Sequence, residues 1–289
     1  MNARDGRGTG GAATFARSAV EPLDEHNRQL LDNVAPAAWT NPAPAPRYNL
    51  VVVGAGSAGL ISAAVAAGLG ARVALIERNL MGGDCLNFGC VPSKAMIRSA
   101  RRLADVRELL HPESPLFDDR RLDDEFARAM ERMRAARAEI SADDSARRYR
   151  DEMGVDVFLG SARFAGADTV EVGGARLRFA RAIIATGGRA AVPPVPGLAE
   201  SGFLTNETIF NLTERPRRLA VIGAGPIGCE VTMLDMAAQL LAREDRDAAQ
   251  IIETRFGAEG IAMVLGARLT RVQRSDSGRT IHYETDAGA

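Results

Sequence analysis

The feature that most constrains this chain is a glycine turn that occurs twice. Asn49-Leu50-Val51-Val52-Val53 leads into Gly54-Ala55-Gly56-Ser57-Ala58-Gly59, and Leu219-Ala220-Val221-Ile222 leads into Gly223-Ala224-Gly225-Pro226-Ile227-Gly228. Each continuous apolar run reads as a buried parallel strand. After the first turn, Ala58 to Leu69 reads as a helix and Arg72 to Glu77 as a second strand, which makes a βαβ unit. Gly54 permits the tight turn, Gly56 lets a pyrophosphate approach the backbone, and Gly59 lets the helix pack on the strand. Ser57 and Ala58 then open a helix whose N–H groups face the phosphates. Glu77, followed by Arg78, stands 23 residues after Gly54 and can accept from a ribose hydroxyl. The motif alone does not separate a flavin nucleotide from a nicotinamide one.

The second copy is anomalous. Val231-Thr232-Met233-Leu234-Asp235 reads as its second strand with a ribose-binding acid, yet Asp235 comes only 12 residues after Gly223. A crossover helix needs about ten residues or more. Two readings stay open: a segment is lacking between Glu230 and Val231, or Ile227 to Leu241 forms one helix and the crossover is re-routed.

Between the two turns lies Gly82-Gly83-Asp84-Cys85-Leu86-Asn87-Phe88-Gly89-Cys90-Val91-Pro92-Ser93-Lys94. A zinc site needs about four ligands. Cys229, His26, His111 and His282 are scattered without paired spacing, so no metal site is expected. A structural disulfide over so small a loop adds little stability. A redox pair fits better. Gly89 gives the backbone freedom to bring the two Cα atoms within about 6 Å, and the helix begun at Val91-Pro92-Ser93 turns its positive end toward a thiolate at Cys90. Lys94 is the only lysine in a chain of 36 basic residues, which marks it as a retained cation or as chance.

Composition narrows the class. The chain is 46% apolar and 25% charged with a net charge of −1, which suits a globular protein and gives no reason to expect nucleic acid or an acidic membrane as partner. Three cysteines make no secreted disulfide framework, no signal peptide is visible, and a cytoplasmic location is expected. Residues 1–47 read as an extension: a short helix over Asp24 to Asn33, then a linker containing Pro36, Pro42, Pro44 and Pro46. Residues 120–150 are helical in period, with Phe126, Met130, Met133 and Ile140 toward a core. From Val155 to Ile184 the period changes to short strands, and Pro193, Pro194 and Pro196-Gly197 mark a domain exit.

The segment around Cys85 and Cys90 resembles the redox-active disulfide of the flavoprotein pyridine nucleotide-disulfide oxidoreductases, and the chain is similar to their mercuric-reductase-like branch and to lipoamide dehydrogenase. The resemblance runs from about Tyr48 to the C-terminus. It implies an α/β fold: an FAD-binding Rossmann-like domain over 48–198 and an incomplete NAD(P)-binding Rossmann-like domain over 199–289. It implies FAD at Gly54, Gly56, Ser57, Ala58, Gly59, Glu77, Arg78, Gly83, Asp84 and Lys94. It adds Ala162 as a backbone contact on the adenosine side and Ala185-Thr186-Gly187 as a flavin contact. It implies NAD(P)H at Gly223, Gly225, Gly228 and Asp235, with NADH slightly favoured. Electrons would pass from NAD(P)H through FAD to Cys85–Cys90 and on to a small-molecule or disulfide substrate. Cys85 would be the interchange thiol and Cys90 the thiol nearer the flavin. Lys94 would pair with Glu230 and stabilise negative charge on the reduced flavin. Asp84 and Phe88 replace the family's commonest Thr and Val, which leaves the substrate open. The family is homodimeric, and its second flavin segment, dimerisation domain and acid–base histidine have no counterpart here. The other expectation is therefore a flavin-binding remnant without turnover.

Overall fold

A computed structural model describes residues 19–110, 117–224, 232–258, 260–276 and 278–285. The chain forms two compact units. Met1–Arg189 with Asn206–Glu214 make the first, and Ala190–Thr205 with Arg215–Ala289 make the second.

The first unit runs α1 (Glu25–Val34), β1 (Tyr48–Val53), α2 (Ser57–Gly68), β2 (Val73–Glu77), α3 (Gly83–Asn87), α4 (Cys90–Leu109), α5 (Asp119–Ile140), α6 (Ala146–Asp151), β3 (Asp156–Leu159), β4 (Ala162–Gly166), β5 (Thr169–Val172) and β6 (Ala175–Ile184). Its sheet has the order β3-β2-β1-β6-β5-β4. The strands β3, β2, β1 and β6 are parallel, and β6, β5 and β4 form an antiparallel meander. The central strand β2 is buried along its whole length and reads as a continuous apolar run up to Glu77, whereas β6 alternates arginines with apolar residues. Val52, Leu75 and Val157 face a core shared with Leu30, Leu60 and Leu86. Val51, Ile76 and Phe158 face a second core with Val170, Leu177 and Phe179.

Residues 19–47 do not stand apart as a tail and linker. Leu30 and Val34 of α1 are fully buried in the first core. The proline-containing stretch runs beside β3, where the Trp39 indole donates to the Val157 carbonyl (3.2 Å) and Asn41 bonds both the N–H (2.8 Å) and the carbonyl (3.2 Å) of Leu159. Those side chains satisfy backbone groups on an edge strand that would otherwise be open. On α5, Met130 and Met133 are buried as expected. Ile140 is corrected to exposed, and the inward position one turn earlier belongs to Arg137.

The helical turns α7 (Leu198–Ser201) and α8 (Asn206–Ile209) follow, α7 in the second unit and α8 in the first. The second unit continues with β7 (Ala220–Ile222), β8 (Thr232–Leu234), α9 (Arg246–Ala258), β9 (Met263–Val264), β10 (Ala267–Ser275) and β11 (Gly278–Thr285). Strands β7, β8 and β9 form a parallel sheet over a small core of Ala224, Met233 and Leu240. The single-helix reading of 227–241 is overturned: Thr232–Leu234 pairs with β7 as a parallel strand, and no helix covers 232–241. Among the described residues, no helix is long and apolar enough to cross a membrane.

Candidate active site

The first glycine turn is crowded at Gly54 and Gly59. A Cβ on Gly54, whose φ is +104°, would sit 2.2 Å from the Ala185 carbonyl oxygen. One on Gly59 would sit 1.8 Å from the Gly54 carbonyl oxygen. The first contact exists because the Ala185 N–H bonds the Val53 carbonyl (2.8 Å), which sets Ala185-Thr186-Gly187 beside the turn. Gly56 forms a parallel bridge with Gly82, and the Gly82 N–H bonds the Ala55 carbonyl (2.9 Å). The cysteine loop is thus tied directly to the glycine turn. Gly83 lies so close that its Cβ would be 2.6 Å from the Gly56 Cα.

Glu77 fixes the turn from the other side. Its carboxylate accepts from the N–H of Ala55 and of Asn79, both at 2.7 Å. The Glu77 carbonyl accepts from Gly160 N–H (2.7 Å), so the strand carrying Ala162 starts beside the end of β2. Arg78 is exposed.

Helix N-termini separate scaffold from site. Helices α1, α5 and α6 are capped by Asp24, Asp118 and Ser145, each accepting from the N–H three residues on. Helices α2 and α4 start after Gly56 and Gly89, with no side-chain cap. Ser57 and Ala58 are exposed there. First-turn donors without a side-chain acceptor suit an anion, and the residues present therefore fit a dinucleotide pyrophosphate over α2.

Cys85 on α3 is half-buried and Cys90, the first residue of α4, is exposed; both are free thiols. Burial pushes the Cys85 thiol up. The hydrogen bond and charge of Cys90 push it the same way, the Ser57 hydroxyl opposes, and the Asp144 carboxylate adds a further rise. Cys85 thus meets both its partner thiol and the start of α2. Helix α4 begins at Cys90, one residue before Val91, so its positive end acts at Cys90 itself. Gly89 has a φ of −134°, and what it supplies is room: a Cβ there would be 2.8 Å from Asp84 Oδ2. The other Asp84 oxygen accepts from Asn206 Nδ2 (2.7 Å). Lys94 is exposed on α4. Its expected partner Glu230 lies outside the described residues, as do Gly225 and Gly228.

Two residues near the loop carried no sequence motif. Asp144 is raised by burial and by Asp143, and it acts on Cys85. Arg137, 1% exposed, donates to the Asn87 carbonyl between the cysteines (2.9 Å). Both sit in the 120–150 stretch, where only Phe126, Met130, Met133 and Ile140 were expected toward a core. Arg137 recurs on the Met130–Met133 face, a spacing that could have flagged it.

In the second unit Asp235 repeats what Glu77 does. Its carboxylate accepts from Ala224 N–H (2.6 Å), one residue after Gly223, and from Ala237 N–H (2.7 Å), two residues after itself. Gly223 repeats the φ of Gly54 at +112°, but a Cβ there would meet nothing within 4 Å among the described residues. His282 on β11 faces Gln273 (2.9 Å). No group of metal-ligating side chains occurs among the described residues.

These features, an α/β sheet with a glycine turn and a cysteine pair bridged to it, define a dinucleotide-fold redox protein. The chain belongs to the pyridine nucleotide-disulphide oxidoreductase family, whose profile matches residues 48–289. It is 32% identical to a mercuric reductase of Lysinibacillus sphaericus over 92% of this chain and 50% of that protein. It is 31% identical to a dihydrolipoyl dehydrogenase of Geobacillus stearothermophilus over 82% of this chain and 52% of that one. Its fold is similar to the HOCl-induced flavoprotein disulfide reductase RclA of Escherichia coli, with a TM-score of 0.69 at 29% identity, covering 82% of this chain and 53% of that one. The chain spans about half the length of the curated relatives it matches.

Proposed function

We propose that this chain holds FAD on its first glycine turn and uses Cys85 and Cys90 as a redox pair that reduces a disulfide, a metal ion or another small oxidant, with NAD(P)H as the electron source in the first of two readings. The observation that carries this reading is the bridge between Gly56 and Gly82, which fixes the cysteine loop to the uncapped start of α2, with Cys85 in reach of both Cys90 and Ser57. Gly54, Gly56, Ser57, Ala58, Gly59, Glu77, Gly83 and the Ala185-Thr186-Gly187 strand end would hold the cofactor, whose flavin supplies a two-electron carrier between nucleotide and cysteines. Cys85 would attack the substrate disulfide as a thiolate, releasing one substrate thiol. Cys90 would then attack Cys85 sulfur, releasing the second thiol and closing the Cys85–Cys90 disulfide. Lys94 would stabilise negative charge on the reduced cofactor, with Glu230 as its partner.

A second reading, a flavin-binding remnant with a slow or absent nicotinamide step, is favoured by one observation. The strands β7 and β8 are joined by residues 223–231, whereas β1 and β2 are joined by residues 54–72, which carry the 12-residue helix α2. Asp235 would then favour NADH over NADPH by repelling the extra phosphate, through whatever binding remains. Reconstitution with FAD tests the first reading. Yellow protein with flavin released on denaturation, and a long-wavelength band abolished by Cys90→Ser, is expected. Colourless protein, or a band unchanged in Cys90→Ser, contradicts it.

A further inference from the structure

We propose that Arg137 is a positioning residue for the cysteine pair, clamping the loop between Cys85 and Cys90 onto helix α1. The inference rests on the redox reading above and deepens it. Arg137 is 1% exposed and makes no ion pair among the described residues. The Asp24 carboxylate nearby is held by Arg134. A cation buried without its own carboxylate is costly to a fold. Met130 and Met133 occupy the same inward face of α5, so an apolar side chain there would satisfy packing. What an apolar side chain could not do is donate hydrogen bonds to two separate segments at once. One guanidinium nitrogen donates to the Asn87 carbonyl (2.9 Å), and the other to Asn27 Oδ1 on α1 (2.7 Å).

Asn87 is the knot of the loop. Its side-chain amide donates to the carbonyls of Met81 (3.0 Å) and Gly83 (2.8 Å), which closes the chain before Cys85. Its own carbonyl, held by Arg137, sets the peptide that leads through Phe88 and Gly89 to Cys90. The Met81 N–H bonds the Val34 carbonyl (3.1 Å), so α1 grips the loop at a second point. Asn27 is itself buried and fixed, its amide donating to Pro22 (2.8 Å). With the Asn87 peptide fixed, the two thiols meet with little conformational entropy left to lose, which raises their effective concentration toward each other.

The test is thiol–disulfide exchange with glutathione, using the full chain without added flavin. One glutathione disulfide bond breaks, the Cys85–Cys90 bond forms, and the two thiol protons leave on two glutathiones. The oxidised fraction of the Cys85–Cys90 peptide is read by mass spectrometry across a glutathione ratio series. Arg137→Met is expected to lower the equilibrium constant for the pair about tenfold, the size of a lost charge-assisted hydrogen bond. Arg137→Lys should restore part of it, and Asn27→Ala, which frees the far end of the guanidinium, should lower it about threefold. Leu177→Ala, a truncation in the second core away from this network, controls for general loosening. An equilibrium constant in Arg137→Met and Asn27→Ala no lower than in Leu177→Ala overturns the inference while leaving the redox reading intact. A wild-type pair that glutathione disulfide does not oxidise overturns both.

Discussion

The two glycine turns of this chain are built to one plan and finished differently. In each, a strand enters a glycine at positive φ, and the acid ending the next strand accepts from the N–H just after that glycine and from the N–H two residues beyond itself. In the first unit, α2 and the end of β6 close over the turn, and the cysteine loop is bridged to it. In the second, the strands still pair in parallel, but they are joined by residues 223–231 and nothing described crowds Gly223. The strand-and-acid core of a nucleotide turn therefore survives without the long crossover, whereas, among the described residues, the crowded glycine and the attached redox loop are found in the first unit.

The largest expected break of this comparison is Gly54→Ala against Gly223→Ala. Both substitutions meet a strained positive φ, costing about 1–2 kcal/mol. Only Gly54 adds a backbone clash with Ala185, which should bring its total to about 4 kcal/mol. Urea unfolding with hydrogen exchange resolved by unit would show it, and equal losses would mean the two turns are closed alike.

Removing the acids comes next. Glu77→Ala removes the carboxylate acceptor of the buried Ala55 N–H and of the Asn79 N–H, and should destabilise the first unit by about 2–3 kcal/mol. Asp235→Ala exposes its two N–H groups in a more open setting and should cost about 1–2 kcal/mol. The same exchange experiment reads both variants.

The smallest effect sharpens the cysteine side of the comparison. The Asp144 carboxylate raises the Cys85 thiol, so Asp144→Asn should lower it and speed alkylation of Cys85 by about threefold near neutral pH. The sign reverses nowhere, but the effect has a window. It vanishes as pH falls and Asp144 protonates, and burial places that edge above the usual carboxylate range. It also vanishes at high pH, where Cys85 is fully ionised in both proteins. Iodoacetamide kinetics followed by peptide mass spectrometry would detect it, and no difference at neutral pH would remove Asp144 from the site.

Much of the first unit was legible because its signals are local. Gly54, Gly56 and Gly59 after an apolar run, and Glu77 at the end of the next, specify strand, turn, helix and acid by spacing alone. The cysteine loop was legible for the same reason. In the N-terminal segment the helix over Asp24 to Asn33 was legible, but the path of the stretch after it was not, because Pro36, Pro42 and Pro44 carry no period. Only the sheet shows that Trp39 and Asn41 satisfy the β3 edge. Arg137 and Asp144 were hidden by their charge: patterning assigns such residues to solvent, and only tertiary packing turns Arg137 inward against Asn87. The short second turn left two readings open, and Met233, buried in a core with Ile252, Phe256 and Met263, goes with β8 pairing in parallel to both neighbours.

The central claim is a proposal that takes the second of the two readings above: the first unit holds FAD beside a working redox pair, while the short connection between β7 and β8 leaves the nicotinamide step slow or absent. An anaerobic comparison of dithionite with NADH and NADPH, on chain reconstituted with FAD, tests it most directly. Dithionite should deliver more electrons per flavin than the two that flavin alone accepts, while neither nucleotide bleaches the flavin rapidly in stopped flow or sustains reduction of an added disulfide. Uptake that stops at the flavin's own two electrons would contradict the first half of the claim, and rapid bleaching by either nucleotide with steady disulfide reduction would contradict the second.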